Sequence, residues 1–585
     1  MKSNDHMYEN ISEEIRKAAI LNAVRHEGKA NPKAVLGTLL GEHQELRTQA
    51  NDLMPKVQAI VQEVNSTSLQ TLRELVNQKW PEQLSKQRLD KERTLTPLTN
   101  ASKYEKIVTR VAPNPDFVLH LGNARAAILS HDYARMYKGK FIVRFEDTDP
   151  RLKKAQLEYY EKIRQDLVWL SCQWDEEYIQ SDRLQIYYEV GTTLIRKAAA
   201  YVCQCKPDQF RDKINASLPC PDRSLTVETN EKRWSKMLEH QYREGEAVVR
   251  VKTDLTNPNP AVRDWPAFRI IDTAKTPHPR TGSKFDVWPL YNLASGVDDH
   301  LLGITHIIRG KEHLTNMDRQ LFMYNQLGWE YPEAIHYGRL KIQGMDLSKS
   351  KMMKAVEQGE ISRVDDPRLG TLAALRRRGY SPKTIRDLIW DIGPKPVDVT
   401  ISWDNLNAMN RKIIDPIAHR YYFVANPIEV TVTGLKETLE VHLPLHPEQP
   451  NLGSRTIRIE PKDGQATLLV SGSDSNLLRS QPEVRFMNLF NLKLVGARGD
   501  ENFTGQIVEG TEHHSKAPIL QWVPSTDDDN IAVQVLLPDG TSVDGFAEAD
   551  LGKEDADSII QFVRFGFCRI DSTSSKHMTA CFAHQ

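Results

Sequence analysis

Apolar residues recur at helical spacing through much of the first hundred positions. Ile11, Ile15, Ala18 and Leu21 form one such face, and Asn10 with Glu13 reads as a helix cap and its reciprocal partner. Val35, Leu39, Leu40 and Leu46 predict a second helix, and Leu53, Val57, Ile60 and Val64 a third. Residues 83–102 are polar, rich in Lys, Arg and Thr, and read as a linker.

From Lys106 the pattern changes to strands alternating with helices. KIVTRVA and KFIVRF are short β-branched runs, separated by the amphipathic segment LGNARAAILSHDYARMY and followed by QLEYYEKIRQDLVWL. Strand, helix and strand at this spacing predict a parallel unit with a right-handed crossover. Residues 203–285 break the rhythm and read as an insertion. The alternation returns at residues 287–344, and a helical, locally basic stretch (TLAALRRRGYSPKTIRDLIWDIG) follows. Beyond Pro416, EVTVTG, RTIRIEP, ATLLVSG and VQVLLPDG alternate apolar and polar residues between turns, which predicts one or two β-barrels.

The 585 residues exceed what one core holds, so several domains are expected. An apolar fraction of 39% with 26% charged residues excludes a disordered or fibrous chain. No window approaches the roughly 18 to 20 uncharged apolar residues of a membrane helix, and no apolar run follows the first charges as in a signal peptide. Six cysteines make a poor disulfide framework for this length and point to a reducing, cytoplasmic setting. Lys and Arg total 77 against 78 Asp and Glu, which excludes a DNA-coating protein but allows a nucleic-acid partner on one basic face.

Two loops carry candidate chemistry. The first joins KIVTRVA to its helix and contains Arg110, Asn114, His120, Gly122 and Asn123. A helix N-terminus beyond the carboxyl end of a parallel strand suits phosphate. His120 could hydrogen-bond a phosphate oxygen there, and Gly122 would let a flat base lie against the backbone. The second loop runs Gly344-Met345-Asp346-Leu347-Ser348-Lys349-Ser350-Lys351, where Lys349 could stabilise a departing pyrophosphate. Either loop alone reads more readily as a surface loop.

Taken together, His120-Leu-Gly-Asn123 and Asp346-Leu-Ser-Lys349-Ser350 resemble the His-Ile-Gly-His and Lys-Met-Ser-Lys-Ser signatures of class I aminoacyl-tRNA synthetases. TRVAPNP, FEDTDPR, YNLASGVDDHLLGITHIIRGKEH and DDPRL…LRRRGY narrow the resemblance to the glutamyl/glutaminyl branch, in particular the archaeal-type glutamyl enzymes. It covers roughly residues 100–580.

The resemblance implies a multidomain α/β chain with a helical extension at 1–100 and a Rossmann-like catalytic domain at 101–202 and 286–355. An acceptor-end-binding insertion at 203–285, a helical linker at 356–415 and β-barrel anticodon-binding domains at 416–585 complete it. It implies glutamate–tRNA ligation with ATP and Mg²⁺, tRNA-Glu as partner, and tRNA-Gln as a second substrate in some members. A tRNA-dependent amidotransferase or other synthetases are candidate partners of the N-terminal extension.

Residue by residue, the resemblance gives His120 and Lys349 the catalytic charge stabilisation, with Gly122, Asn123 and Ser348 beside them at the nucleotide. Arg110, Asn114, Glu146, Tyr291 and Arg309 become the glutamate pocket. Arg309 is the glutamate-specifying position, since a forked guanidinium suits a side-chain carboxylate. Asn123 and Asp346 depart from the signatures by replacing a histidine and a lysine.

Cys203, Cys205, Cys220 and Asp222 are candidate zinc ligands, with three leftover free thiols as the alternative. Asp298-Asp299-His300 reads as structural or close to the tRNA end rather than as a metal site, and His513-His514 as solvent-facing. Arg376, Arg377 and Arg378, beside Tyr380, read as a tRNA-binding patch. The rival functions are a glutaminyl-tRNA synthetase, which Arg309 opposes, and a non-catalytic tRNA-binding paralogue, which rests on Asn123 and Asp346.

Overall fold

The computed structural model describes residues 2–25, 29–42, 50–80, 94–345, 347–498, 502–508, 517–574 and 576–585. Leu46, Asp346, His513 and His514 lie outside these. The chain divides into two compact units, residues 1–94 and 95–585.

Among the described residues, the first unit holds four helices, α1 (Lys2–Arg25), α2 (Pro32–Glu42), α3 (Ala50–Asn65) and α4 (Leu69–Lys79). Its core takes Ile15, Val35, Leu39, Leu53, Val57 and Val64 from the three periodic stretches, and Leu72 and Val76 from α4. The sequence reading missed α4, whose signal is Ser68, a cap accepting the Thr71 amide. The predicted cap at Asn10 is corrected. α1 begins at Lys2, so Asn10 lies inside it.

The second unit opens on Leu95 and Leu98, both buried in its main hydrophobic core. The end of the predicted linker is therefore packed. β1 (Val108–Val111), α5 (Leu121–Met136), β2 (Lys140–Phe145), α6 (Leu157–Trp169) and β3 (Glu176–Ile179) follow. The strands form a parallel sheet in the order β1-β2-β3, with Arg110 opposite Ile142 and Ile142 opposite Glu176. β1 and nearly all of β2 are buried, as expected of parallel strands covered on both faces.

Next come α7 (Leu184–Arg196), β4 (Ala200–Cys203), α8 (Pro207–Asn215), α9 (Val227–Leu238), β5 (Val248–Val251), β6 (Pro266–Ile270) and β7 (Val287–Pro289). β4 to β7 form an antiparallel sheet in sequence order. α10 (Tyr291–Leu301), β8 (His306–Gly310), α11 (Leu314–Leu327) and β9 (Glu333–Tyr337) return to parallel pairing. Thr305 locks β8 beside β1. Its amide donates to the Val108 carbonyl at 2.9 Å, and its Oγ1 accepts the Val108 amide at 2.9 Å. The carboxyl ends of β1, β2 and β8 thus meet at one place.

β10 (Leu340–Ile342), α12 (Lys349–Glu357), α13 (Leu372–Arg377), α14 (Pro382–Ile392), β11 (Val399–Ile401) and α15 (Trp403–Ile414) lead to the β-rich half. There two seven-stranded mixed sheets form. The edge strands of one, His419–Tyr421 and Phe423–Ala425, are consecutive in the chain, and so are Ile519–Leu520 and Trp522–Pro524 at the edges of the other. Each sheet therefore curls into a nearly closed barrel, which leaves little unpaired edge.

One buried ion-pair group ties β1 and β2 to α10. Asp299 accepts Arg110 Nε at 3.0 Å, Arg110 NH2 at 3.1 Å and Arg144 NH1 at 2.7 Å. Asp298 beside it accepts Arg183 at 2.9 Å and the Tyr187 hydroxyl at 2.7 Å. Burial alone would raise the Asp299 carboxyl, but the Arg110 and Arg144 guanidiniums outweigh it and hold it down to about 2. A depressed carboxyl stabilises the fold fully above its unfolded value of about 4, and that contribution is lost as pH falls toward the folded value. Asp299→Asn should therefore lower the unfolding free energy by about 3–5 kcal/mol at neutral pH. In denaturant titrations, the gap between wild type and variant should narrow by about 2 kcal/mol as pH falls from about 4 to about 2. A gap independent of pH in that range would remove the charge from the explanation.

Candidate active site

The carboxyl ends of β1, β2 and β8 open into a cavity of about 980 Å³. Arg110, His120, Gly122, Asn123, Glu146, Tyr291, Arg309 and Ser348 all line it. The sheet alone brings together Arg110, Glu146 and Arg309, which are distant in sequence. The turn into α5 supplies the nucleotide-type residues.

That turn is a reciprocal cap. The Gly122 amide donates to His120 Nδ1 at 3.0 Å, and the His120 amide donates to Asn123 Oδ1 at 3.1 Å. Accepting at Nδ1 assigns the ring proton to Nε2, so His120 offers one N–H donor without carrying charge. Burial, then the nearby Lys349 charge, push its pKa down to about 4. Asn123 spends its oxygen on the backbone, which leaves the Nδ2 amide as its donor. A Cβ at Gly122 would come within 2.7 Å of the His120 ring, so only glycine fits beneath the imidazole.

Arg309, at the end of β8, is 5% exposed. Its NH2 donates to the Tyr331 hydroxyl at 2.9 Å, and its Nε to His336 Nε2 at 3.3 Å. NH1 lies 3.4 Å from the Tyr291 hydroxyl and from Gln320 Oε1. Every one of these partners is neutral. Burial, then Arg309 itself, push His336 down to about 4 and His313 to about 3, so neither ring is charged at neutral pH. Among the described residues no carboxylate comes within ion-pairing distance of Arg309. Arg110 differs. It lines the cavity, yet its Nε and NH2 are committed to Asp299. Glu146 faces the cavity with one oxygen accepting Arg144 NH2 at 2.9 Å.

Two expected residues stand apart. Asn114 does not line the cavity, and its Oδ1 is buried without a hydrogen-bond partner. Lys349, in the first turn of α12, is ion-paired with Asp116 and is likewise absent from the lining. Its charge nevertheless reaches His120.

Two members of the arginine run expected at tRNA make contacts within the chain. Arg378 is 4% exposed, stacks over Trp403 at 4.6 Å and donates to the Ala583 carbonyl at 3.2 Å. Arg377 pairs with Asp571 at 2.7 Å and Asp365 at 3.7 Å. Both pin the helical linker to the C-terminal barrel. Arg376 has no ion-pair partner among the described residues, although the buried Asp166 feels its charge.

The cysteine group converges as the spacing suggested. Cys220 Sγ lies 3.5 Å from Cys203 Sγ and 3.1 Å from Cys205 Sγ, and Asp222 Oδ2 is 3.9 Å from Cys205 and from Cys220. All four ligand atoms fall within 4.8 Å of one another. Arg233 and the Gln204 amide hold the Asp222 carboxylate at 2.9 and 2.8 Å. Asp298 and Asp299, by contrast, are saturated by arginines and a tyrosine, the structural half of their reading.

Sequence reasoning missed Arg144, Asp299, Gln320, Tyr331 and His336 as parts of the site. Arg144 and Asp299 stood within quoted motifs but carried no signal of facing one another. Gln320 on a helix, Tyr331 in a loop and His336 on a strand are ordinary positions whose role depends on the tertiary position of Arg309.

The model of tRNA synthetases class I (E and Q), catalytic domain, matches residues 106–416. Two models of the corresponding anticodon-binding domain match residues 418–514 and 519–571. A glutamate–tRNA ligase of Thermococcus onnurineus is 47% identical over 583 residues, which is 98% of this chain and 100% of that protein. One from Thermococcus kodakarensis is 48% identical, covering 99% of this chain and 100% of its own length. A crystal structure of a glutamate tRNA ligase from Elizabethkingia meningosepticum in complex with its amino acid is 22% identical, covers 54% of this chain and 70% of its own, and superposes with a TM-score of 0.40. By its matched domains and its full-length relatives, the chain belongs to the class I tRNA synthetases of the glutamate and glutamine branch.

Proposed function

We propose that the chain is a glutamate–tRNA ligase. It joins L-glutamate to ATP as glutamyl-adenylate with release of pyrophosphate, then passes the glutamyl group to the 3′-terminal adenosine of tRNA-Glu with release of AMP. The observation that carries the reading is Arg309, a buried guanidinium among neutral partners at the end of the cavity. Leaving a buried charge unpaired is costly, so the site favours a ligand that brings a carboxylate. Glutamine would leave that charge unanswered. The glutamate–tRNA ligases that match over full length support the same choice.

The first step needs no side-chain nucleophile. The α-carboxylate of glutamate attacks the α-phosphorus of ATP, and the pyrophosphate oxygen leaves. Glu146 faces the α-ammonium, and Arg110 and Arg309 face the carboxylates. The neutral His120 offers its Nε2–H to phosphate, with Gly122, Asn123 and Ser348 beside it. Lys349 supplies the cation that meets the pyrophosphate charge. Mg²⁺ carried on the ATP phosphates supplies further positive charge. In the second step the terminal ribose hydroxyl attacks the adenylate carbonyl and AMP departs. Arg376 is the member of the arginine run we assign to tRNA.

The charging assay tests the reading. Wild type should load tRNA-Glu with glutamate and not with glutamine. Arg309→Ala should raise the glutamate KM on the order of 100-fold or more, with the ATP KM unchanged. A variant that lost only tRNA affinity would refute the pocket. Lys349→Ala should slow adenylate formation on the order of 10²-fold, with tRNA binding preserved in filter assays. An unchanged rate would take Lys349 out of the chemistry.

The cysteine group fits zinc, since three soft sulfurs and one carboxylate converge as a tetrahedral ion requires. Bound there, zinc would staple the loop after β4 to the segment before α9. Elemental analysis of the purified chain should find one zinc per molecule, and Cys220→Ser should lose it with a fall in melting temperature. A zinc-free wild type would mean the thiols are free.

A further inference from the structure

We infer that Gln320 is a specificity-determining residue of the glutamate pocket, acting through Arg309 as an acceptor that orients the guanidinium without cancelling its charge. The inference rests on the glutamate reading above and deepens it.

Gln320 lies on α11, is 0% exposed, and does not line the cavity itself. Its Oε1 accepts the Tyr331 hydroxyl at 2.8 Å and lies 3.4 Å from both NH1 and NH2 of Arg309. Its Nε2 donates to the Asn292 carbonyl at 3.3 Å. That last bond settles which end of the amide faces the guanidinium, because only the nitrogen can donate to a carbonyl. The oxygen is therefore turned to Arg309, and the Tyr331 hydroxyl, itself an acceptor for NH2 at 2.9 Å, closes a three-membered ring of hydrogen bonds.

A buried arginine needs acceptors, and a carboxylate would be the stronger one. Asp299 plays that part for Arg110 and Arg144 in the same cavity wall. Around Arg309 the acceptors are instead an amide, two phenols and a neutral imidazole. Gln320 is the one of these that differs from a carboxylate by a single atom, with nearly the same shape. Its neutrality decides whether Arg309 is left with charge to offer a substrate. A carboxylate at position 320 would stand within Coulomb range of the guanidinium and answer it before glutamate arrives.

The experiment measures kcat and KM for glutamate, and KM for ATP, in tRNA charging by wild type, Gln320→Glu, Gln320→Met and Arg309→Ala. Gln320→Glu should raise the glutamate KM on the order of 100-fold, as for a buried charge that already has its partner. The ATP KM should stay within about twofold and the glutamate-over-glutamine preference should shrink, since only the pocket's charge has changed. Gln320→Met removes the acceptor without adding charge and should raise the glutamate KM about tenfold. Equal effects of the two variants would overturn the charge argument, and unchanged glutamate KM in both would overturn the inference. If Gln320→Glu does not fold, as judged by its thermal melt, Gln320→Met alone decides. A rise confined to the glutamate KM sustains the inference, and wild-type behaviour overturns it. Arg309→Ala separates the two levels. If it leaves the glutamate KM unchanged, the pocket reading fails; if it raises KM while the Gln320 variants do not, only this inference fails.

Discussion

One unpaired guanidinium organises the site. Four guanidiniums, those of Arg110, Arg144, Arg183 and Arg309, converge where β1, β2, β8 and α10 meet, and Asp298, Asp299 and Glu146 pair with the first three. Arg309 has hydrogen-bond partners that are all neutral, and Asp299 acts on it only from beyond ion-pairing distance. We read that guanidinium as the partner for the side-chain carboxylate of glutamate. Glutamine would leave it unanswered. Uncompensated buried charge is expensive enough that this difference alone separates two substrates of nearly the same shape.

The three paired arginines serve a different end. Asp299 holds Arg110 and Arg144 together, so the strands that deliver Arg110 and Glu146 are fixed to the helix that delivers Tyr291. The lining of the cavity and the stability of the parallel sheet therefore share atoms. This is why Asp298-Asp299 resembles a metal site in sequence while its oxygens are spent on arginine and tyrosine donors.

The strands, the main helices and the cavity-lining His120, Gly122, Glu146 and Arg309 were legible because each sits at a strand end or helix start, where local pattern and chemistry coincide. The helix α4 was missed because its apolar positions are few and its cap, Ser68, lies in an otherwise polar stretch. The environments of the arginine run were not legible, for a physical reason. Three consecutive residues on a helix spread over different faces, so one run can hold a buried stacked Arg378, an ion-paired Arg377 and an Arg376 without an ion pair among the described residues. Charge density along the sequence does not report which face meets protein. Gln320 was illegible for the complementary reason. An amide in a helix says nothing until the arginine it touches is in place.

Two arginines of that run show how the turn into α5 is held. The Leu121 amide donates to the Gly370 carbonyl at 3.1 Å, and the Leu372 amide to the Leu119 carbonyl at 2.9 Å. His120 is thereby bridged to Thr371, whose hydroxyl caps α13 by accepting the Ala374 amide at 3.0 Å. α13 ends at Arg377, and Arg377 and Arg378 fasten it to Asp571 and Ala583 of the C-terminal barrel. From barrel to His120 the path runs through backbone hydrogen bonds, one short helix and two guanidiniums, that of Arg378 buried and that of Arg377 half-buried. A strut of this kind fixes where the imidazole stands relative to the β-rich half. The turn gains its precision from a segment that the sequence alone presents as a basic surface.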